Sequence, residues 1–391
     1  MILGIDASNI RGGGGLTHLA EMLRAAHPHQ HGIDHVCVWA STETLSKLPR
    51  RDWLEPSHQP LLDRNILFRL FWQRYHLGKL ARKHCDVLFV PGALIFSPFR
   101  PVVTMSHNML PFEDRERARY GFSYTGLRLR LLCQKQSHSF RVADGVIFLS
   151  DYAKRTIEAR LGCNVQRSAT IPHGISSSFV RTPRSMRLPE EFTPERPFRM
   201  LYVSIVDMYK HQDKVAAAVA RLKSEGHPIV LDLVGPAYRR ALRVLDATLA
   251  KLDPGHDVIR YHGAIDHSEL PHRYSESDLF IFASSCENLP NILIEAMASG
   301  LPIACSDRGP MPEVLRDAGC YFDPEDSDSI YRALRQMYLD RDVRCRSAKR
   351  AFEYAQRYTW EACADRTLAF IAGAVAARSS VEPAEAVANA P

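Results

Sequence analysis

Two carboxylates, Glu287 and Glu295, flank a short stretch of Asn288, Leu289, Pro290 and Asn291 that leads into an apolar run closing at Gly300. Pro290 suits the first position of a helix, and Gly300 the left-handed residue just past its last turn. Glu287 then sits at the carboxyl end of a strand, and Glu295 lies five residues into the helix, about 7.5 Å along its axis from Pro290. The unpaired N–H groups of a helix start favour an anion. A carboxylate on either side of an anion site suits a ligand with hydroxyls at both ends and phosphates between, namely a nucleotide sugar. The same spacing also reads as a capped structural helix with a surface glutamate.

Other groups could serve such a ligand. Lys210 is a cation in a loop after an apolar strand, and Gly12–Gly15 is a glycine run that lets a ligand approach backbone closely. His107 stands in a polar loop after another strand, where it could face a ligand or be a satisfied core histidine. Cys286 has no base beside it in sequence and reads as a small buried residue. Asp326 and Asp328 form an Asp-x-Asp pair that could bind metal. Their place before a helical run points to N-capping instead. Thr17 occupies the third glycine position of a dinucleotide fingerprint, which disfavours a nicotinamide enzyme.

The elements that must position these groups alternate. Residues 2–6, 35–39, 86–90, 101–104 and 145–149 are short, β-branched apolar runs separated by helical stretches. After an aperiodic, proline-rich stretch the pattern restarts at 200–203, 229–234, 258–261, 279–282 and 302–305, with helices near 214–223 and 239–252. Strands apolar on both faces predict parallel sheets covered by helices. The expected organisation is α/β, with two facing Rossmann-like, doubly wound domains and a ligand in the cleft at their strand ends. The expected boundaries are 1–180 for an N-terminal domain, 181–197 for a linker and 198–355 for a C-terminal domain. A helix over 356–377 would return to the first domain, followed by a disordered tail over 378–391.

Length and composition agree with this. The chain has 391 residues, 46% of them apolar and 24% charged, which excludes collagen, coiled coil and bulk disorder. A net charge of +6 is too small for nucleic acid to be an expected partner. Nine cysteines without a C-x-x-C pair argue against a disulfide framework or zinc site and for a reducing compartment. The chain opens directly into a strand pattern and has no long apolar run, so a cytoplasmic location is expected. Between residues 114 and 141, seven Lys/Arg face two acids and interleave with Tyr120, Phe122, Tyr124, Leu127, Leu129, Leu131, Leu132 and Phe140. That stretch reads either as a surface for anionic lipid at the inner face of the membrane or as a solvated helix face.

The segment from Glu287 to Pro302 resembles the signature of retaining glycosyltransferases of family 4, which have the GT-B fold. Gly12–Gly15, residues 106–112 around His107, residues 171–175 (Ile-Pro-His-Gly-Ile), the Lys210 loop and residues 308–313 resemble further family segments in collinear order. The resemblance implies transfer of a hexosyl group, with retention, from a GDP- or UDP-hexose such as GDP-mannose. The acceptor would be a glycan or lipid-linked hydroxyl in polysaccharide or lipopolysaccharide synthesis. The resemblance also implies that the first domain takes the acceptor and the second binds the donor. It implies that Glu287 contacts the sugar, Glu295 holds the ribose, and Lys210 neutralises the diphosphate. Asn288, Leu289, Pro290 and Asn291 would cradle sugar or phosphate, Gly14 and Gly15 would admit the phosphates, and His107 would line the sugar site. No cofactor and no metal are expected. Two departures stand out: Ile205 replaces an arginine expected five residues before Lys210, and Glu287-Asn-Leu-Pro290 replaces Glu-x-Phe-Gly. Arg11, Arg308 or further amides are the expected substitutes for the missing cation. A phosphorylase or epimerase of the same fold, or an inactive nucleotide-sugar binder, are the alternatives.

Overall fold

The computed structural model describes residues 1–379; of the tail expected over 378–391, residues 378 and 379 are the end of a helix and the rest lies outside the described residues. The chain forms two compact units. One comprises Met1–Phe112, Phe122–Gly174 and the described residues from Thr359 to Ser379; the other comprises Glu113–Gly121 and Ile175–Tyr358.

The first unit is built on seven strands: β1 (Ile2–Asp6), β2 (His35–Ala40), β3 (Leu54–His58), β4 (Val87–Val90), β5 (Val102–Met105), β6 (Gly145–Phe148) and β7 (Ser168–Thr170). They lie in the order β3-β2-β1-β4-β5-β6-β7, every pairing parallel. Central strands such as β4 and β6 are buried along their whole length, as a sheet covered on both faces requires. β3 carries Pro56, which an edge strand tolerates because one row of its N–H groups is unpaired. The Trp360–Ser379 helix belongs to this unit and packs against the Gly13–Ala25 helix and β6.

The second unit is built on six strands: β8 (Phe198–Val203), β9 (Ile229–Val234), β10 (Ile259–Tyr261), β11 (Leu279–Phe282), β12 (Ile303–Ser306) and β13 (Gly319–Phe322). Their order is β10-β9-β8-β11-β12-β13, again all parallel. In both sheets the first strand of the unit lies beside the fourth. The connections from those two neighbours leave toward opposite sides, opening a crevice at their carboxyl ends where ligands collect.

Residues 181–197 do not form the expected linker. They are fastened to the second unit: Arg184 and Arg187 donate to Asp278 at 3.0 and 3.1 Å, and Met186 and Phe192 are buried. Phe192 stacks edge-on to Phe198 at 5.0 Å. The stretch lacks an apolar period because it follows irregular chain and 3₁₀ turns, so single anchors hold it. The basic stretch 114–141 is likewise divided. Its Asp114–Ala118 helix lies in the second unit, where Arg115 and Arg119 both pair with Glu325. The Tyr124–Val142 helix lies in the first.

Candidate functional site

The crevice of the second sheet is lined by the loops after β8 and β11, which are tied to one another. Ser285 N–H and its hydroxyl both donate to the Tyr209 carbonyl, at 2.9 and 3.2 Å. His211 Nε2 lies 2.9 Å from the same hydroxyl. The Tyr202 hydroxyl, at the end of β8, donates to the Lys210 carbonyl at 2.6 Å. These bonds fix where the two side chains beyond them can reach, and Lys210 Nζ donates directly to Glu287 Oε1. The lysine is only 6% exposed, with its ammonium 5.0 Å from the Tyr209 ring and 5.3 Å from Phe282. A cation held between aromatic faces and a carboxylate keeps its position without a ligand.

Beyond Glu287 the chain turns into the Asn291–Ala298 helix. The helix begins one residue later than the sequence suggests: Pro290 is its N-cap and Asn291 its first residue. The first-turn N–H groups of such a helix have no acceptor within it. At the other end Gly300, at φ +68°, takes the left-handed position. A Cβ there would lie 2.7 Å from the Arg181 carbonyl oxygen, so glycine is required twice over. Glu295 is buried in this helix and accepts from the Tyr274 hydroxyl at 3.2 Å, with His267 Nε2 at 3.7 Å. Burial, with Glu295 adding to it, holds the Tyr274 phenol well above its ordinary pKa, so it stays a donor. Asn288, Leu289 and Pro290 are buried between the two glutamates.

Thus Lys210, Glu287, Asn288, Leu289, Pro290, Asn291 and Glu295 come together in the second unit. Gly14, Gly15 and His107 belong to the first. The glycine run is less of a loop than expected, because the helix that follows begins at Gly13. Only Gly13, at φ +63°, needs glycine for its backbone. A Cβ added at Gly14 or Gly15 would meet nothing within 4 Å, so this first turn presents bare backbone to its surroundings.

His107 follows β5 and is half-buried, its ring 5.1 Å from that of His18 and 5.4 Å from that of His173. Burial lowers the His107 pKa to about 4. Burial first, then repulsion within the group, drives His18 and His173 well below the usual value. All three are neutral rings at neutral pH. Sequence reasoning missed His18, hidden in an apolar helix pattern, and passed over His173 inside a segment noted only for its family resemblance. Tyr274, which braces Glu295 across 21 positions, left no local signal.

The substitutes expected for the arginine absent at Ile205 are engaged elsewhere. Arg11 donates to the Leu62 and Arg64 carbonyls at 2.5 and 3.1 Å. Arg308 pairs with Asp323 at 2.7 Å and Asp307 at 3.3 Å. Asp326 caps the Ser327–Leu339 helix by accepting from Asp328 N–H at 2.9 Å, and Cys286 is buried with its thiol pKa raised by desolvation.

The second unit's site combines a fixed ammonium, a helix start and two carboxylate acceptors, a set able to bind an anion joined to hydroxyl-bearing groups. Residues 12–179 match the family model described as Glycosyltransferase Family 4, and residues 187–357 the one described as Glycosyl transferases group 1. O-antigen chain mannosyltransferase B of Escherichia coli is 26% identical over 251 residues, covering 62% of this chain and 64% of that one. A GDP-mannose-dependent alpha-(1-6)-phosphatidylinositol monomannoside mannosyltransferase of Mycobacterium tuberculosis is 27% identical, covering 61% and 65%. The chain thus spans just under two thirds of the length of these curated relatives. Among solved structures, Anabaena Alr3699/HepE in complex with UDP and glucose superposes with a TM-score of 0.68 at 18% identity, over 94% of this chain and 98% of that one. WaaG, a glycosyltransferase involved in lipopolysaccharide biosynthesis, does so with a TM-score of 0.67 at 15% identity, over 95% and 99%. These likenesses establish the GT-B type of fold.

Proposed function

Because the chain belongs to glycosyltransferase family 4, we propose that it transfers a hexosyl group from a nucleotide sugar to a hydroxyl of a glycan or lipid-linked acceptor, with retention of configuration. The observation that carries this reading is the Lys210–Glu287 pair at the crevice of the second sheet, beside the start of the helix that holds Glu295. Breaking the bond between the anomeric carbon and phosphate builds negative charge on the departing diphosphate and positive charge on the sugar. Lys210 and the helix N–H groups stabilise the former, and Glu287 accepts from the sugar hydroxyls. Glu295 accepts from the ribose diol, with Tyr274 fixing its second oxygen. Gly14 and Gly15 let backbone approach the phosphates, and the neutral His107 lines the sugar. The leaving phosphate itself takes the proton of the incoming hydroxyl on the same face, since no carboxylate is assigned as a covalent nucleophile.

Lys210 and the helix start take the part that a divalent ion plays at phosphates in other enzymes, so transfer proceeds at the same rate with and without added Mg²⁺ or Mn²⁺. Relatives that use GDP-mannose make a GDP-hexose the first donor to try. The decisive experiment is a thermal-shift panel of nucleotide sugars followed by NMR of the product. A donor at 100 times its dissociation constant adds about 2.7 kcal/mol of stability. If no nucleotide sugar raises Tm, or if the product shows inverted configuration, the reading fails.

Among the described residues no helix is long and apolar enough to cross a membrane. We infer a peripheral association with anionic lipid through the first unit's Tyr124–Val142 helix. Tyr124, Leu127 and Leu131 are exposed there among Arg128, Arg130 and Lys135, with Phe122 just ahead of it. Aromatic and leucine side chains beside arginines suit an interface of acyl chains and anionic headgroups. Flotation with anionic but not zwitterionic vesicles, abolished by Phe122→Ser with Leu127→Ser, tests it; binding unchanged by the substitutions refutes it.

A further inference from the structure

Three connections of the first unit each deliver one imidazole to the carboxyl edge of its sheet. His18 comes from the helix after β1, His107 from the loop after β5 and His173 from the chain after β7. We propose that these three histidines form a binding site for a first-row transition-metal ion, zinc being the best fit.

One ligand nitrogen from each ring lies within 4.8 Å of the other two. Zinc bound tetrahedrally at about 2.0–2.1 Å needs its nitrogens roughly 3.3 Å apart. The rings must therefore close by at most about 1.5 Å. His18 is wholly buried, and its Nδ1 has no hydrogen-bond partner among the described residues. His107 Nε2 is likewise buried and without a hydrogen-bond partner among the described residues. A buried ring nitrogen left without a partner costs about 1–3 kcal/mol. Two of them on rings only 5.1 Å apart suggest a group that accepts their lone pairs. The neutral imidazole is the form that binds a metal, and burial keeps all three neutral.

The surroundings favour a soft, imidazole-preferring ion over magnesium or calcium, because no carboxylate belongs to the cluster. Cys363 adds to this: its Sγ lies 3.9 Å from His18 Nε2, and its thiol pKa is pushed up to about 12 by burial. Three neutral ligands leave the ion's charge uncompensated, so the fourth position would take an anion or water, or the Cys363 thiol after giving its proton to solvent. The framework is rigid. The His18 and His173 rings stack at 4.3 Å, and Trp360 packs beside both, 5.8 Å from His173 and 6.0 Å from His18. Gly174 packs so tightly on this segment that a Cβ there would come 2.2 Å from Trp360 N. An ion held here would fix the orientation of His107, and with it the ring assigned above to the sugar.

The test is direct metal binding by the full chain, purified without a histidine tag, so that its failure leaves the transfer reading standing. The proposal expects about one zinc per chain by elemental analysis. It expects Co²⁺ titration to give the visible absorption of a four- or five-coordinate site, saturating at one equivalent. It also expects zinc to raise Tm. His173→Asn, with His18→Gln as a second variant should the first fail to fold, is expected to lose the Co²⁺ band and the zinc-induced rise in Tm. Substoichiometric metal in the natural chain overturns the proposal. So does Co²⁺ or zinc binding that is unchanged in the folded variants, since other histidines would then account for it.

Discussion

The two units are variations on one plan. Each has its first strand beside its fourth, all pairings parallel, and its chemistry-bearing residues after the strands' carboxyl ends. What those ends carry is different in kind. The second unit presents an ion pair, a helix start and a buried carboxylate braced by a tyrosine. The first presents uncharged rings and a helix turn stripped of side chains. One scaffold thus yields a surface fit for holding a polyanion and another fit for shaping a neutral group. The strands are not where they diverge; the two or three residues beyond them are.

Removing the charges of the second unit should show the largest effect. Lys210→Ala is expected to lower kcat by roughly 10²–10³-fold, as the loss of a preorganised group at developing charge does. Glu287→Ala should fall by a similar factor, and a rate within twofold of the natural protein for either would break the comparison. Glu295→Gln should weaken donor binding by about 1.5–3 kcal/mol, the worth of hydrogen bonds to a charged acceptor, with kcat less affected. Isothermal titration with the donor reads this.

The neutral rings of the first unit make a prediction of opposite character. His18, His107 and His173 all have folded pKa values below their unfolded value near 6.5, so the unfolded chain binds more protons in between. The stability they contribute is present above pH 6.5 and is lost as pH falls toward about 4. The loss reaches about 1.4 kcal/mol per pH unit for each histidine. Urea midpoints of the metal-free chain, measured in a chelator between pH 7 and 4.5, should fall for the natural sequence and fall less for His18→Phe. The smallest effect belongs to the bare turn. Gly14→Ala meets no neighbour and should stabilise the helix by about 0.5–1 kcal/mol while weakening the donor. A Tm that rises together with donor affinity would sink the idea that the turn is bare for the ligand's sake.

How much of this could be read from residues alone varied with its physical origin. β1 was legible as the apolar run 2–6, and the Arg239–Leu252 helix as its apolar period, because burial on a regular element writes itself into spacing. The end of the Glu295 helix at Gly300 was legible because the left-handed position selects one residue type. β3 was not, since an edge strand with Pro56 and half-exposed polar residues has no such pattern. Residues 181–197 look like a tether because anchoring by Arg184 and Arg187 leaves no period. Glu287 and Lys210 were each visible as candidates, yet their pairing spans 77 positions and only the sheet order brings it about. The histidine group is hidden for the same reason.

The first unit is assembled from both ends of the chain, with nearly the whole of the second inserted before its last helix. On a ribosome the second unit is therefore complete while the first still lacks the Trp360–Ser379 segment that covers the Gly13–Ala25 helix. No single scission separates the two as independent pieces. A stop codon after Tyr358 would spare every strand of both sheets and still deprive the first unit of a wall, leaving its earliest-made portion the last to mature.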